Sequence, residues 1–435
     1  MSERPPLPRG IRPLLAALFF ATVGVFVQAT ALGKQVYDIT GRPLDLGLLG
    51  LAEFLPTALL APLTGSVADR FDRRLVVALG FGGEAACSAG LALYALSDPT
   101  SIAPILVLVV LFGVARAFVA PASRALPVDL AEPAGAVTRV IPLTSIVWQV
   151  AFIVGPVAGG FLYVPGAHWP YGVACVLALV GAATVLSVHL PARERLTSPP
   201  GARAVLHDAL EGLRFIRRTP ILLGAISLDL LAVLFGGAIA LLPAIADERL
   251  GVGAVGLGWL RAAVGIGAGL TTLVLAVRPV NRRVGVVLFV AVGIFGVATI
   301  VLGLTRSYAV AFAALLVASG ADAVSVFIRA TLVPLVTAPS MRGRVLAVEN
   351  VFIGASNELG AFESGVAGAL LGAAGAVVLG GAATLVVVAV WATLFPALRS
   401  VDRFRDAQAA VAGDLPPSEL RTEWRATDPS GRDPA

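Results

Sequence analysis

Residues 65–74 read Gly65-Ser66-Val67-Ala68-Asp69-Arg70-Phe71-Asp72-Arg73-Arg74, a charged stretch at the junction of apolar runs 46–67 and 75–95. Each run is close to the roughly 20 residues that a helix needs to cross a hydrocarbon core of about 30 Å. Continuous apolar runs of this length cross as helices, because lipid offers backbone N–H and C=O groups no partners. The same alternation of run and break extends both ways. Spans are expected at 12–34, 46–67, 75–95, 102–123, 140–163, 169–190, 220–243, 255–276, 284–304, 309–335, 345–372 and 375–397. The expected fold class is therefore all-α integral membrane, with twelve transmembrane helices.

Composition agrees. The chain of 435 residues is 57% hydrophobic and 14% charged, with mean hydropathy +0.90, which leaves too little charge to cover a soluble surface. Gly and Pro are frequent inside the runs, as membrane helices tolerate. The first run is too long for a signal peptide and leads straight into further spans. The pI of 9.7 does not imply a nucleic-acid partner, because the arginines sit in short breaks and form no single basic face. Cys87 and Cys175 fall inside spans and read as packing residues. No metal spacing or disulfide framework accompanies them, so neither metal nor cofactor is expected. No G-x-x-x-x-G-K-[ST] loop suggests an ATP-driven pump. His168, His189 and His207 are scattered, so no enzyme is expected. Nor is there a long soluble domain to suggest a receptor.

Basic residues orient the spans. With the N-terminus inside the cell, 25 arginines lie in inside segments and only Arg42, Arg249 and Arg306 lie outside. Both termini are thus expected in the cytoplasm. The longest break, 191–219, divides the spans six and six. The expected domains are a first half at 1–190, a linker at 191–219, a second half at 220–398 and a disordered cytoplasmic tail at 399–435. Within the linker, Pro199-Pro200-Gly201 reads as a turn region. Leu206, Leu210, Leu213 and Arg217 follow helical spacing, which suggests a short helix on the inner membrane surface.

The halves repeat weakly at a shift of 209 residues. Gly47 falls on Gly256, Arg73-Arg74 on Arg282-Arg283, Pro156 on Gly365 and Gly159 on Gly368. Two six-helix pseudo-repeats are expected, a layout that places a substrate site between halves near the bilayer midplane.

The loop Gly65-x-x-x-Asp69-Arg70-x-x-Arg73-Arg74 resembles the signature loop of the major facilitator superfamily. The resemblance implies that fold, and it implies that the loop latches the cytoplasmic sides of the two halves together. Gly65 is expected to permit close helix approach, and Asp69 to reach Arg73 four residues on. The second copy, Arg278-Pro279-Val280-Asn281-Arg282-Arg283, lacks the Gly and the Asp. In the fifth span Gly155-Pro156-Val157-Ala158-Gly159-Gly160 resembles the G-P-x-x-G-G pattern of the superfamily's exporters, a pliant contact in which Pro removes a helix hydrogen bond and Gly admits a neighbouring helix. Arg116 stands where such exporters often carry an arginine linked to proton transfer, without the usual Gln and Gly. Arg342-Gly343-Arg344 and the stretch 357–365 complete a resemblance to the bacterial branch of macrolide-efflux proteins and enterobactin exporters.

Intramembrane charge is costly and usually functional. The candidates for proton coupling or cavity charge are Glu53, Glu84, Arg116, Asp229, Asp322, Arg329, Glu358 and Glu363, with Glu349 as a further intramembrane acid and Arg261 as a further possible partner. A carboxyl group removed from water can take and release a proton near neutral pH. A structural pair, Asp322 with Arg329, is the alternative. The expectation is a monomeric secondary transporter in membrane lipid, with protons and a small amphipathic molecule, drug or siderophore, as its partners. A lysophospholipid flippase or nutrient importer of the same fold remains the competing expectation.

Overall fold

The computed structural model describes residues 7–8, 10–190 and 202–408. The turn expected at Pro199-Pro200-Gly201 and the tail beyond 408 lie outside the described residues.

The helices, in chain order, begin with six: α1 (Ile11–Thr40), α2 (Pro43–Arg70), α3 (Arg73–Ala95), α4 (Ala103–Ala131), α5 (Val137–Tyr163) and α6 (His168–Leu186). The linker helix α7 (Ala202–Arg218) follows. The second half holds α8 (Pro220–Phe235), α9 (Leu242–Ala244), α10 (Ala254–Val277), α11 (Val284–Leu304), α12 (Tyr308–Val336), α13 (Arg342–Leu394) and α14 (Pro396–Arg399). Ten of these are long and apolar enough to cross a membrane, and α8 makes one more where it is paired with the end of α7. Helix α13, with 53 residues, would be about 80 Å long at 1.5 Å per residue, more than twice a bilayer core. It breaks at Gly372, whose φ of 74° and ψ of 159° suit only glycine. Its two limbs are two crossings, which brings the total to the expected twelve. Large apolar side chains such as Leu59, Leu79, Val277 and Leu370 are at least 70% exposed, a surface that suits lipid.

The pseudo-repeat appears as a symmetric interface. A shift of 209 carries α5 onto the first limb of α13 and α2 onto α10. Helix α5 packs on α10, and α2 packs on α13. Exchanging the halves therefore maps one contact onto the other.

Three expectations change. The seventh span is not one helix: α8 stops at Phe235, and the chain unwinds at Gly236-Gly237 before α9 and a π-turn at Ile245–Arg249. A Cβ at Gly237 would lie 2.5 Å from the Gly360 carbonyl, and one at Gly236 would meet the Phe295 ring, so this crossing squeezes past its neighbours as bare backbone. Helix α7 forms, but it turns Ala209, Leu213 and Ile216 into the core beside α13, with Leu210 exposed. Arg344 grips it through Asp208 (2.9 Å) and Glu211 (2.6 Å). Residues 399–408, expected to be disordered, are ordered. Val401 and Ala407 are buried, and the amides of Val284 and Gly285 donate to the carbonyls of Asp402 and Val401.

Candidate functional site

The loop at 65–74 breaks the chain into two helices. Asp72 caps α3, its carboxylate accepting from the Arg74 amide at 2.9 Å. The Arg74 side chain bonds to Asp72 as well (2.7 Å), which holds the Asp72 carboxyl below its usual range. Asp69 ends α2 and Arg73 opens α3, so their ion pair (2.9 Å) spans a turn and does not run along one helix. Arg73 also forks onto Asp129 of α4 at 2.7 and 2.8 Å. These bonds all lie within the first half. Arg70 is exposed, and a Cβ at Gly65 would meet nothing within 4 Å, so the close approach expected there is not made in this conformation. The second-half loop recovers the carboxylate that its sequence lacks: Asp402 accepts from the Arg283 amide (3.0 Å) and pairs with Arg282 (3.6 Å).

At the opposite end the halves meet backbone to backbone. A Cβ on Gly160 would lie 2.5 Å from the Ala254 carbonyl, and one on Gly258 would lie 2.5 Å from the Pro156 carbonyl. Gly155 and Gly159 press against α1 at Phe26 and Val27. The fifth-span motif thus sits where α1, α5 and α10 converge. On the symmetric side Gly47 and Gly365 are packed against each other. Moving toward the arginine-rich end, these contacts thin out. Gly269 would reach only the Gln149 side chain at 3.3 Å, Gly354 only the Phe54 ring at 3.9 Å, and Gly343 nothing within 4 Å. The interface is closed at one end and splays toward the other.

A polar clasp reinforces the closed end. Lys34 of α1 bonds to Asp38 and lies 3.6 Å from Asp247 of the π-turn. The Tyr37 hydroxyl donates to Glu248, and the Tyr163 hydroxyl donates to Asp38 at 2.8 Å. Sequence reasoning did not single out this cluster. Its only signals were the spacing of Lys34 and Asp38 and the adjacent acids Asp247-Glu248 at a span end.

Between the two ends lies a cavity of about 440 Å³ lined by both halves. Glu53, Arg116, Arg261, Asp322 and Glu358 face it, with the rings of Phe26, Phe152 and Phe295. Arg116 lies 3.7 Å from Glu53 and 4.0 Å from buried Glu84. Glu358, from the second half, sets its carboxylate against Gly50 of α2, one turn from Glu53. Arg261 reaches across to the Ala29 carbonyl of α1 at 2.9 Å. Asp229 and Arg329 form a buried pair at 2.7 Å, with Glu349 at 3.5 Å from Arg329. The alternative pairing of Asp322 with Arg329 is not made: Asp229 takes that place and leaves Asp322 facing the cavity. Glu363 stands apart and does not line the cavity. A cavity of this size, largely apolar with a few convergent charges, suits one small ligand.

The sequence profile of the Major Facilitator Superfamily matches residues 14–361. The enterobactin exporter EntS of Shigella boydii is 28% identical over 403 residues, which is 87% of this chain and 91% of EntS. The Escherichia coli EntS is 27% identical over the same shares. YfiS of Bacillus subtilis, an uncharacterized MFS-type transporter, is 28% identical over 226 residues, 49% of this chain and 51% of YfiS, so the chain aligns with about half that relative's length. Among solved structures, a bacterial homolog of the human lysosomal transporter Spinster superposes with a TM-score of 0.68 at 16% identity, covering 94% of this chain and 98% of that one. The human organic anion transporter MFSD10 does so with a TM-score of 0.63 at 20% identity, covering 88% and 99%. Identities this low show the fold alone.

Proposed function

Because this chain belongs to the Major Facilitator Superfamily and is a multi-pass membrane transporter, we propose that it exports small amphipathic molecules across a bacterial inner membrane by proton antiport. The observation that carries this reading is the cavity that both halves line and only one end closes, with Glu53 and Arg116 of the first half and Glu358 of the second on its wall. Rocking of the two halves about that cavity exposes it alternately to each side. The first half is 1–190 and the second 220–398, joined through α7, and both termini lie in the cytoplasm. The positive-inside asymmetry puts the splayed end there, so the conformation described is open to the cell interior. The unit is a monomer. The loop at 65–74 engages the second half only when that end closes.

Coupling requires a group that holds either a proton or the substrate, and the cavity carboxyls have the right place and chemistry for it. The similarity to EntS supports the outward direction. The test is accumulation in inverted membrane vesicles of a panel of dyes, macrolides and catecholate siderophores, with and without an uncoupler. Uncoupler-sensitive accumulation is expected. Its absence in vesicles holding folded protein refutes proton-driven export of these classes and favours a lysophospholipid or an imported nutrient. Unchanged coupling after neutralising Glu84, Asp229, Asp322 and Glu358 one by one removes these acids from the mechanism.

A further inference from the structure

The charge around the cavity is unbalanced. In one cluster Glu53 and Glu84 lie beside Arg116, and Glu358 and Arg261 stand on the same cavity wall. In the other, Asp229 and Glu349 pair with Arg329, and Asp322 stands on the cavity wall outside that pair. With every group ionised, the first cluster carries one excess negative charge and the second carries two. Of the two guanidiniums on the cavity wall, Arg116 lies 3.7 Å from Glu53 and 4.0 Å from Glu84, while Arg261 donates to the Ala29 carbonyl and leaves its buried Nε unpartnered among the described residues. Glu358 and Asp322 also face the cavity, and neither has a hydrogen bond or ion pair among the described residues. An unpaired carboxylate at this depth is costly unless a cation or a proton joins it. Phe26, Phe152 and Phe295 add aromatic rings to the wall, and aromatic rings can attract positive charge.

We propose that the cavity selects apolar, aromatic-faced organic cations, with Glu358 and Asp322 facing the positive nitrogen, and rejects organic anions of similar size. A bound cation and a proton then satisfy the same carboxylates in turn, which makes their exchange a consequence of charge balance. This rests on the preceding section only in taking the cavity as the substrate site.

The experiment is equilibrium binding to the purified full-length protein in detergent, read by fluorescence polarisation against empty micelles. Rhodamine 6G and fluorescein share a xanthene core and carry opposite charge at pH 7.5. Rhodamine 6G is expected to bind and fluorescein not to. Glu358→Gln and Asp322→Asn should each weaken rhodamine 6G about tenfold or more, the scale of one lost charged contact. Asp322→Glu, which keeps the charge, should retain most binding and shows that loss in Asp322→Asn is not misfolding. Fluorescein binding as tightly as rhodamine 6G overturns the proposal. So does full rhodamine 6G affinity in both neutralised variants, or no rhodamine 6G binding by protein that still unfolds cooperatively. The readout is independent of transport. Binding of rhodamine 6G without accumulation in vesicles refutes export and leaves the cation site standing. Accumulation of a catecholate by a protein that ignores rhodamine 6G does the reverse.

Discussion

Replacing Gly160 by alanine should shift the balance between the two open states. The added methyl would lie 2.5 Å from the Ala254 carbonyl and 3.1 Å from the Val255 Cα, where ordinary contact begins at 3.4 Å. Both obstacles are backbone on α10, so no side-chain rotation relieves them. Overpacking of this kind costs about 1–3 kcal/mol. The cost falls on the conformation in which α5 and α10 touch at this end and disappears where they part. The population ratio should therefore move about 5- to 150-fold toward the state open at that end. Spin labels at Ser97→Cys and Ser307→Cys, in loops of the two halves at the closed end, report the separation by electron–electron resonance once Cys87 and Cys175 are replaced by alanine. A longer-distance population should grow in Gly160→Ala, and likewise in Gly258→Ala, whose methyl would meet the Pro156 carbonyl. Gly172→Ala is the control, since a Cβ there meets nothing within 4 Å. A distance distribution in both wedge variants identical to that of the control refutes the claim that this contact closes the interface.

Other perturbations act elsewhere. Lys34→Ala with Tyr37→Phe opens the clasp and should shift the same spin-label distances in the same direction, by about 0.5–1.5 kcal/mol for each bond lost; no shift means the clasp is incidental. Arg329→Ala leaves Asp229 and Glu349 buried without their cation and should cost about 3–5 kcal/mol, seen as a lowered Tm in detergent, whereas replacing all three by apolar residues of similar size should cost far less. Asp69→Asn should slow transport while the protein still inserts and folds; normal transport by a well-expressed variant removes the conformational role of the loop. Asp72 is held ionised by Arg74, so its contribution is present above the ordinary carboxylate range and is lost as pH falls through its lowered value. Asp72→Asn keeps the helix cap but drops the charge. The Tm gap between it and the parent should be present at pH 7 and shrink in acid, and a gap independent of pH contradicts the ion pair.

The sequence by itself determined how many times the chain crosses the membrane and that it does so in two related halves. Span length is a one-dimensional property, set by 1.5 Å of rise per residue against a fixed bilayer thickness. The weak glycine matches at a shift of 209 residues were enough to anticipate a duplicated six-span unit, but not which helices join its copies. The loop at 65–74 and the motif at 155–160 were legible because both place special residues next to each other in the chain. Partnerships between helices were not legible. Asp229 and not Asp322 pairs with Arg329, because α8 and α12 face each other at that level, and spacing along α12 alone carries no trace of it. Asp402 completes the second loop from more than a hundred residues away. The break at Gly236-Gly237 depends on Gly360 and Phe295 crowding the backbone from other helices. Which acids stand free in the cavity, and which are already neutralised, is a matter of a few ångströms between chains of atoms far apart in sequence, and only the packed structure decides it.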